Sequence, residues 1–234
     1  MEDRTLEYEV ITYNGGNCTR EVENVVEEVN FQVAVNNERT IYLTGSPFNV
    51  KELVVGNLWM RNLLDSKEDI DTLTIDQNLV KVVLNIPLRE TERDYRVVRS
   101  EKTIEKERVP ILMQKLQDRA NLFSKTGGVH NAALSDGKEL LVFMEDIGRH
   151  NTVDKLMGYC ILNDINLEDK IMVFSGRIPF EIINKISKMN IPIFISKSAP
   201  TSLGVDMARK YNITICGFTR GERYHIYSGD DRIL

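Results

Sequence analysis

The spacing of hydrophobic and polar positions changes character near residue 110 of this 234-residue chain. Before it, FQVAVNNERTIYLTG is two β-rich runs around Asn36 and Asn37, residues that tolerate positive φ and predict a tight hairpin turn. KELVVGNLWMRNLL follows, where Leu53, Val54, Leu58 and Met60 to Leu64 form a helical stripe with Ser46 and Pro47 as its start signal. DTLTIDQNLVKVVLNI then predicts a second strand pair. Residues 1–90 thus read as a small β-rich α+β domain. Residues 87–110, with seven basic and six acidic side chains and little apolar periodicity, read as a charged linker or loop, with a partly helical stretch as the alternative.

From residue 111 to 234 the pattern alternates. Helix ILMQKLQDRANLFSK leads to strands GGVHNAALS and ELLVFMED; helix TVDKLMGYCILND, strand KIMVFSG, helix PFEIINKISKMN, strand IPIFIS and helix SLGVDMARKYN follow, and strands ITICGF and RYHIYS close the chain. Strands separated by helices of ten to thirteen residues predict βα units and an α/β fold with a largely parallel sheet between helices.

In such a sheet the loops leaving the carboxyl ends of the strands converge on one rim, where ligands bind. Four loops qualify: EDIGRHN (145–151), SGRIP (175–179), SKSAPTS (196–202) and GFTRGER (217–223). The first three open helices, whose free N–H groups favour anions. The rim collects Arg149, His150, Arg177, Lys197, Arg220 and Arg223, and its small residues admit a ligand close to the backbone. This concentration of positive charge predicts a phosphate-bearing ligand. Taken singly, Gly148 and Gly176 could merely turn the chain, and Asn151 or Thr152 could merely cap a helix. Glu145 and Asp146 read either as a structural ion pair with Arg149 or as acceptors for ligand hydroxyls or a guanine edge. His130, in TGGVHNAAL, reads as a packed or surface residue, and His225 as a strand residue without a chemical role.

The net charge of −5 excludes a general nucleic-acid surface, so anion binding must be local. No apolar run approaches the ~20 residues that span a bilayer, and MEDRTLEYEV lacks the build of a leader peptide, so a cytoplasmic protein without membrane attachment is expected. Cys18, Cys160 and Cys216 lie too far apart for a CxxC pair. Cys160 and Cys216 fall on apolar positions; Cys18, in NGGNCTR, is expected to be exposed.

TGGVHNAAL, EDIGRHNTVDKLMG, SGRIPFEIINK, SKSAPTS and GFTRGERYHIYS, in that order and spacing, resemble the FdhD family of formate dehydrogenase accessory sulfurtransferases, and VAVNN…LTGSPFNVKELVVGNLW resembles its first domain. The resemblance covers nearly the whole chain. It implies a cytidine-deaminase-like three-layer α/β sandwich behind a smaller β-rich α+β amino-terminal domain, and a homodimer. It further implies that persulfide sulfur passes from a cysteine desulfurase to the molybdenum or tungsten bis(pyranopterin guanine dinucleotide) cofactor used by formate dehydrogenase, with free guanine nucleotide as an analogue. The family's cofactor-contacting segment maps onto Gly217, Phe218, Thr219, Arg220, Gly221 and Glu222. Arg149, His150, Asn151, Ser175, Gly176, Arg177, Lys197 and Thr201 complete the expected cofactor pocket.

In deaminases of that fold, zinc ligands occupy two helix starts that correspond here to GRHN and SGRIP, which have no cysteine, so a pocket without zinc is expected. The family ordinarily carries a CxxC ahead of its TGG motif. Here that loop reads RVVRSEKTIEKERVP, with no cysteine between Cys18 and Cys160. Two readings follow: a sulfurtransferase using another cysteine, with Cys18 the candidate nucleophile, or a cofactor-binding chaperone without sulfurtransferase activity. A nucleotide-binding protein indifferent to the base is a further alternative.

Overall fold

The computed structural model describes residues 5–234; residues 1–4, where the stretch read above as lacking a leader begins, lie outside the described residues. Its elements assemble into a two-stranded ribbon, a four-stranded sheet and a six-stranded sheet. The ribbon comprises β1 (Thr5–Asn14) and β2 (Asn17–Val26), antiparallel about Gly15 and Gly16. The four-stranded sheet has β3 (Val29–Val35), β4 (Arg39–Gly45), β5 (Ile70–Asp76) and β6 (Leu79–Leu84) in the order β4-β3-β6-β5. Asn36 and Asn37 take φ of 52° and 56° in the three-residue loop between Val35 and Arg39, closed by Glu38 N–H donating to Val35 O at 3.0 Å. Phe31, Val33 and Val35 alternate inward along β3 and are fully buried.

Helix α1 (Val50–Met60) crosses from this sheet to the second half of the chain. It starts at Asn49 without a side-chain cap, so the predicted start signal at Ser46 and Pro47 is displaced; Ser46 is buried and ties two segments together instead. The charged stretch forms no helix before α2 (Arg108–Arg119). It runs extended and pinned. Arg93 donates to the carbonyls of Trp59 and Leu64 at 2.8 and 2.7 Å, Val98 N–H to Tyr211 O at 2.9 Å, and Ile104 bridges to Ile233.

The predicted helix from residue 111 is two. Ala120, with ψ of 54°, breaks it between α2 and α3 (Asn121–Thr126), and Gly127 at φ of 63° closes α3 by donating to Phe123 O at 2.7 Å. The six-stranded sheet follows: β7 (His130–Ser135), β8 (Leu140–Asp146), β9 (Ile171–Phe174), β10 (Ile193–Ser196), β11 (Thr214–Arg220) and β12 (Arg223–Ser228), ordered β12-β11-β10-β9-β7-β8. β9, β10 and β11 are mutually parallel, whereas β7 and β12 run against their neighbours. β9 and β10 are wholly buried because helices cover both faces, which accounts for their unbroken apolar runs.

α2 lies on one face of the sheet, and α4 (Arg149–Leu162), α5 (Phe180–Lys188) and α6 (Ser202–Lys210) on the other, giving a three-layer α/β arrangement. The larger core runs without interruption from Phe31 of β3 through Leu58 of α1 to Ile215 of β11. Each fully buried Leu, Ile or Phe in it contributes about 1.5–3 kcal/mol. No described helix is long and apolar enough to cross a membrane.

The halves meet most closely where α1 crosses α4. A Cβ on Gly56 would fall inside the carbonyl of Asp154, and one on Gly158 inside the carbonyl of Glu52. Two side-chain-free positions let the backbones touch. Alanine favours a helix over glycine by about 1 kcal/mol, but here it must push the helices apart, which typically costs about 1–3 kcal/mol. Gly56→Ala is therefore expected to lower stability despite its better helix propensity. Denaturant unfolding checks the sign, and a midpoint at or above that of the wild type would show that the crossing is not tight.

Candidate functional site

By the strand directions, the carboxyl ends of β8, β9, β10 and β11 and the beginning of β7 share one rim. β8 arrives there with Glu145 and Asp146, and Asp146 is completely buried. The Ser46 N–H donates to its Oδ2 at 3.1 Å, and the Gly148 N–H and Asn151 Nδ2 donate to its Oδ1 at 2.8 Å each. Lys155, equally buried and two turns along α4, forms an ion pair with Oδ2 at 2.7 Å and donates to Glu145 O at 3.1 Å. Its ammonium also lies 4.4 Å from the centre of the Phe48 ring. Asp146 thus serves the architecture, and its ion-pair partner is Lys155 rather than Arg149. Glu145, also buried, accepts from Asn131 Nδ2 at 3.3 Å.

Asn151 spends its amide on Thr44 O at 2.7 Å and on Asp146, joining β4 to the start of α4. Thr201 accepts from Gly204 N–H at 3.2 Å and caps α6. The remaining rim residues form a continuous neighbourhood. Gly176 passes so close to α4 that a Cβ would touch Arg149 Cβ at 3.4 Å and the Phe174 ring at 2.9 Å. Ser196 Oγ donates to Gly176 O at 2.7 Å, Ser198 Oγ to Ser175 O at 3.0 Å, and Phe218 N–H to Ser198 O at 3.0 Å. Arg149 forms no ion pair among the described residues, and its Nε is buried without a hydrogen-bond partner, as is Thr219 Oγ1. An orphaned guanidinium donor at this rim suits a ligand with anionic oxygens.

His130, discounted in the sequence because one histidine carries little signal, stands at this rim. Its Nδ1 is 3.5 Å from Ser175 Oγ, which itself accepts from Asn131 N–H at 2.9 Å. With Ser175 and Lys197 it forms the polar wall of a pocket of about 330 Å³, faced by Met113, Leu116 and Phe123. The apolar wall comes from α2 and α3 and carried no recognisable motif; the break at Ala120, itself a lining residue, brings Phe123 into it.

Burial, then the charge of Arg149 and of Arg177, holds the His130 imidazole below its ordinary pKa against an opposing pull from Asp146. His150 is depressed likewise, by burial and by Lys185 and Arg149. Among the described residues no group of three or more His, Cys, Asp or Glu comes together that could hold a metal ion.

The carboxyl-terminal segment divides between two surfaces. Phe218 takes a left-handed backbone, φ 55°, inside a register shift of the β11–β12 pair between Gly217 and Arg220. That conformation costs a bulky residue about 1–3 kcal/mol and persists only where its surroundings enforce it. Arg220 stacks on the Phe218 ring, its guanidinium carbon 4.4 Å from the centre. Gly221 and Glu222 lean toward the start of α2, where they line a separate hollow of about 700 Å³ with Lys106, Ile111 and Tyr224.

Of the three thiols, those of Cys160 and Cys216 are buried and each is pushed up to about 12 by desolvation. Cys18 is exposed near the tip of the β1–β2 ribbon, opposite Tyr13. The base of the ribbon touches the site's approaches, since a Cβ on Gly128 would meet Val26 Cγ1 at 2.8 Å. Eight residues of extended strand separate Cys18 from Val26, roughly 26 Å.

A family model for FdhD/NarQ matches residues 88–234. The chain is 39% identical to the sulfur carrier protein FdhD of Bacillus pumilus, over 94% of this chain and 94% of that one. It is 36% identical to the sulfur carrier protein FdhD of Bacillus subtilis, over 100% and 99% of the two chains. The chain belongs to the FdhD/NarQ family. A crystal structure from Desulfotalea psychrophila, described as a candidate formate dehydrogenase accessory protein, has the same fold, with a TM-score of 0.87 over 98% of this chain and 99% of that one at 24% identity. Two features of this FdhD/NarQ chain stand out against its sequence motifs: the buried carboxylate behind EDIGRHN, and the separation of Gly221 and Glu222 from the rim pocket.

Two predictions test this geometry. Lys155→Met removes one member of a fully buried pair and leaves Asp146 charged and undercompensated, which is expected to cost about 3–5 kcal/mol in denaturant unfolding; a loss near zero would show that Asp146 is not held as described. The His130 ring is expected to titrate below the ordinary histidine range in an NMR pH series, and Arg149→Ala to move it upward. Because its folded value is depressed, the unfolded chain binds the proton more readily, so His130 favours the fold above the ordinary value and that contribution fades as pH falls below it.

Proposed function

We propose that this FdhD/NarQ-family chain is a formate dehydrogenase accessory protein that binds the molybdenum or tungsten bis(pyranopterin guanine dinucleotide) cofactor at the rim of its six-stranded sheet. The observation that carries the reading is the convergence of Arg149, Ser175, Gly176, Arg177, Lys197 and Phe218 on one rim beside a pocket with one apolar and one polar wall. The residues fit the group. The buried, unpartnered Arg149 Nε offers a donor to a pyrophosphate oxygen. Arg177 and Lys197 add charge, and His130, kept neutral, can exchange hydrogen bonds with a heterocycle edge. When bound, the group supplies the metal centre that formate dehydrogenase uses. The chain's part is to bind it, orient it and exclude water. A cysteine desulfurase as sulfur source, formate dehydrogenase as recipient and a homodimer as working form belong to the same reading.

Within it, one observation favours a cofactor-binding chaperone over a self-sufficient sulfurtransferase. Neither inner thiol is accessible: Cys160 and Cys216 are buried with their thiols raised to about 12, and a thiolate, not a thiol, takes up sulfur. Cys18 alone is accessible, and it lies far out on the ribbon.

Equilibrium binding of GDP and ADP tests the pocket. GDP is expected to bind more tightly, and Arg149→Ala and Arg220→Ala to weaken it about tenfold each, the loss of one charge-assisted hydrogen bond or stacked cation. Unchanged binding in both variants removes the site assignment, and equal binding of the two nucleotides removes the guanine preference. Intact-mass measurement after incubation with a cysteine desulfurase and cysteine tests the sulfur. An absence of adduct supports the chaperone, whereas an adduct lost in Cys18→Ala establishes Cys18 as the carrier.

A further inference from the structure

We infer that Phe218, His225 and Tyr227, closed at one end by Arg220, form a stacking platform for a planar fused-ring heterocycle carried by the rim's ligand. The inference rests on the reading above and extends it to His225 and Tyr227, which follow the expected cofactor-contacting segment within the closing GFTRGERYHIYS stretch. The three rings adjoin one another, Phe218 tilted by 35° to His225 with centroids 5.9 Å apart and Tyr227 edge-on to His225 at 66° and 6.0 Å, so the cluster offers a heterocycle both ring faces and a ring edge. All three are partly exposed, on the outermost pair of strands.

Cross-strand aromatic pairs can serve a hairpin's stability alone, but three features here exceed that need. Phe218 is held in a left-handed backbone, a cost that a stabilising pair would not require, and its N–H is tied to Ser198 of the rim. Gly217, paired with His225, has no side chain; a Cβ there would press on the Tyr227 ring at 3.0 Å and on Pro200 and Ser198 O at 3.3 Å, so the aromatic cluster abuts the 196–202 loop. Finally, cations sit at its margin: Arg220 over Phe218, and Arg223 with Nη2 3.4 Å from His225 Nε2. Aromatic faces beside guanidinium groups are the means by which proteins hold a base and its phosphate together, and stacking tolerates different ring systems. The ligand class is therefore a fused bicyclic ring with a nearby phosphate. Guanine and pterin share that chemistry, and the experiment separates them.

Binding of GMP, of neopterin and of inorganic pyrophosphate is measured by equilibrium dialysis for the wild type, for His225→Ala/Tyr227→Leu, and for His225→Phe/Tyr227→Phe, with thermal unfolding to confirm that each variant folds. The platform predicts that the first pair loses roughly tenfold or more in affinity for GMP or neopterin, the stacking of one base. Pyrophosphate binding should hold, and the phenylalanine pair, which keeps the rings, should bind as the wild type. Whichever heterocycle suffers the loss names the part of the ligand that stacks. Heterocycle binding unaltered by His225→Ala/Tyr227→Leu overturns the platform and leaves the rim reading standing. Wild-type binding of pyrophosphate but of neither heterocycle also overturns the platform while keeping the anionic rim. Failure of the wild type to bind all three overturns both. If the first pair does not fold, His225→Ala alone, at a partly exposed position, decides by the same criteria.

Discussion

The buried Asp146 carboxylate is the point on which the arrangement of the two halves depends. An unpaired carboxylate in a dry interior is costly; here it receives the Lys155 ammonium, two backbone N–H groups and the Asn151 amide, so its charge is compensated from four directions. Those donors belong to different parts of the chain. Ser46 leads from β4 to α1, Gly148 and Asn151 open α4, and Lys155 lies on the buried side of α4. Removing any one leaves charge or hydrogen-bonding capacity unmet, so the corner after β4 and the corner after β8 are locked together. The Gly56–Gly158 crossing and the shared core then follow from that lock, because α1 and α4 leave it in directions that bring their backbones into contact.

This also accounts for the polarity of EDIGRHNTVDK. In sequence the stretch reads as a ligand-facing loop, and Arg149 does belong to the rim; yet Asp146, Asn151 and Asp154 face other parts of the protein, Asp154 pairing with Lys185 and accepting from Asn57 Nδ2 at 3.1 Å. Of the two sequence readings of Asp146, the structural ion pair is the one seen, and its partner is hidden from the sequence for a physical reason. Asp146's partner is nine residues on, on what looks like an apolar helical stripe, and its second tie comes from residue 46, a hundred positions away. Local pattern records neither.

Where local chemistry decides, the sequence was legible. The Asn36–Asn37 turn, the β5–β6 pair and the strand–helix alternation after residue 130 appear as expected because positive φ, period-two alternation and helix length are set within a few residues. The β1–β2 ribbon was not. Leu6, Tyr8 and Val10 do alternate with Glu7 and Glu9, but Leu6, Tyr8, Ile11 and Tyr13 are all exposed, so the apolar residues mark no core-facing side. The Ala120 break was hidden for the opposite reason: alanine is the best helix former, and only the requirement that the chain turn toward His130 places it outside helical ψ.

The carboxyl-terminal motif shows how far adjacency in sequence can mislead about adjacency in space. Gly217 to Glu222 is one uninterrupted segment, yet the register shift and the left-handed Phe218 divide it. Phe218 faces His225 across the strand pair and is tied to Ser198, while Gly221 and Glu222 border the hollow beside α2, where Tyr224 also points. On β12 the same division follows the two-residue period, with Tyr224 on the α2 side and His225 and Tyr227 on the other. A ligand that contacted the whole motif would have to wrap the edge of the sheet. A long, articulated molecule with rings at separate points along a phosphate-bearing chain can do that, whereas a compact nucleotide can engage one side at a time.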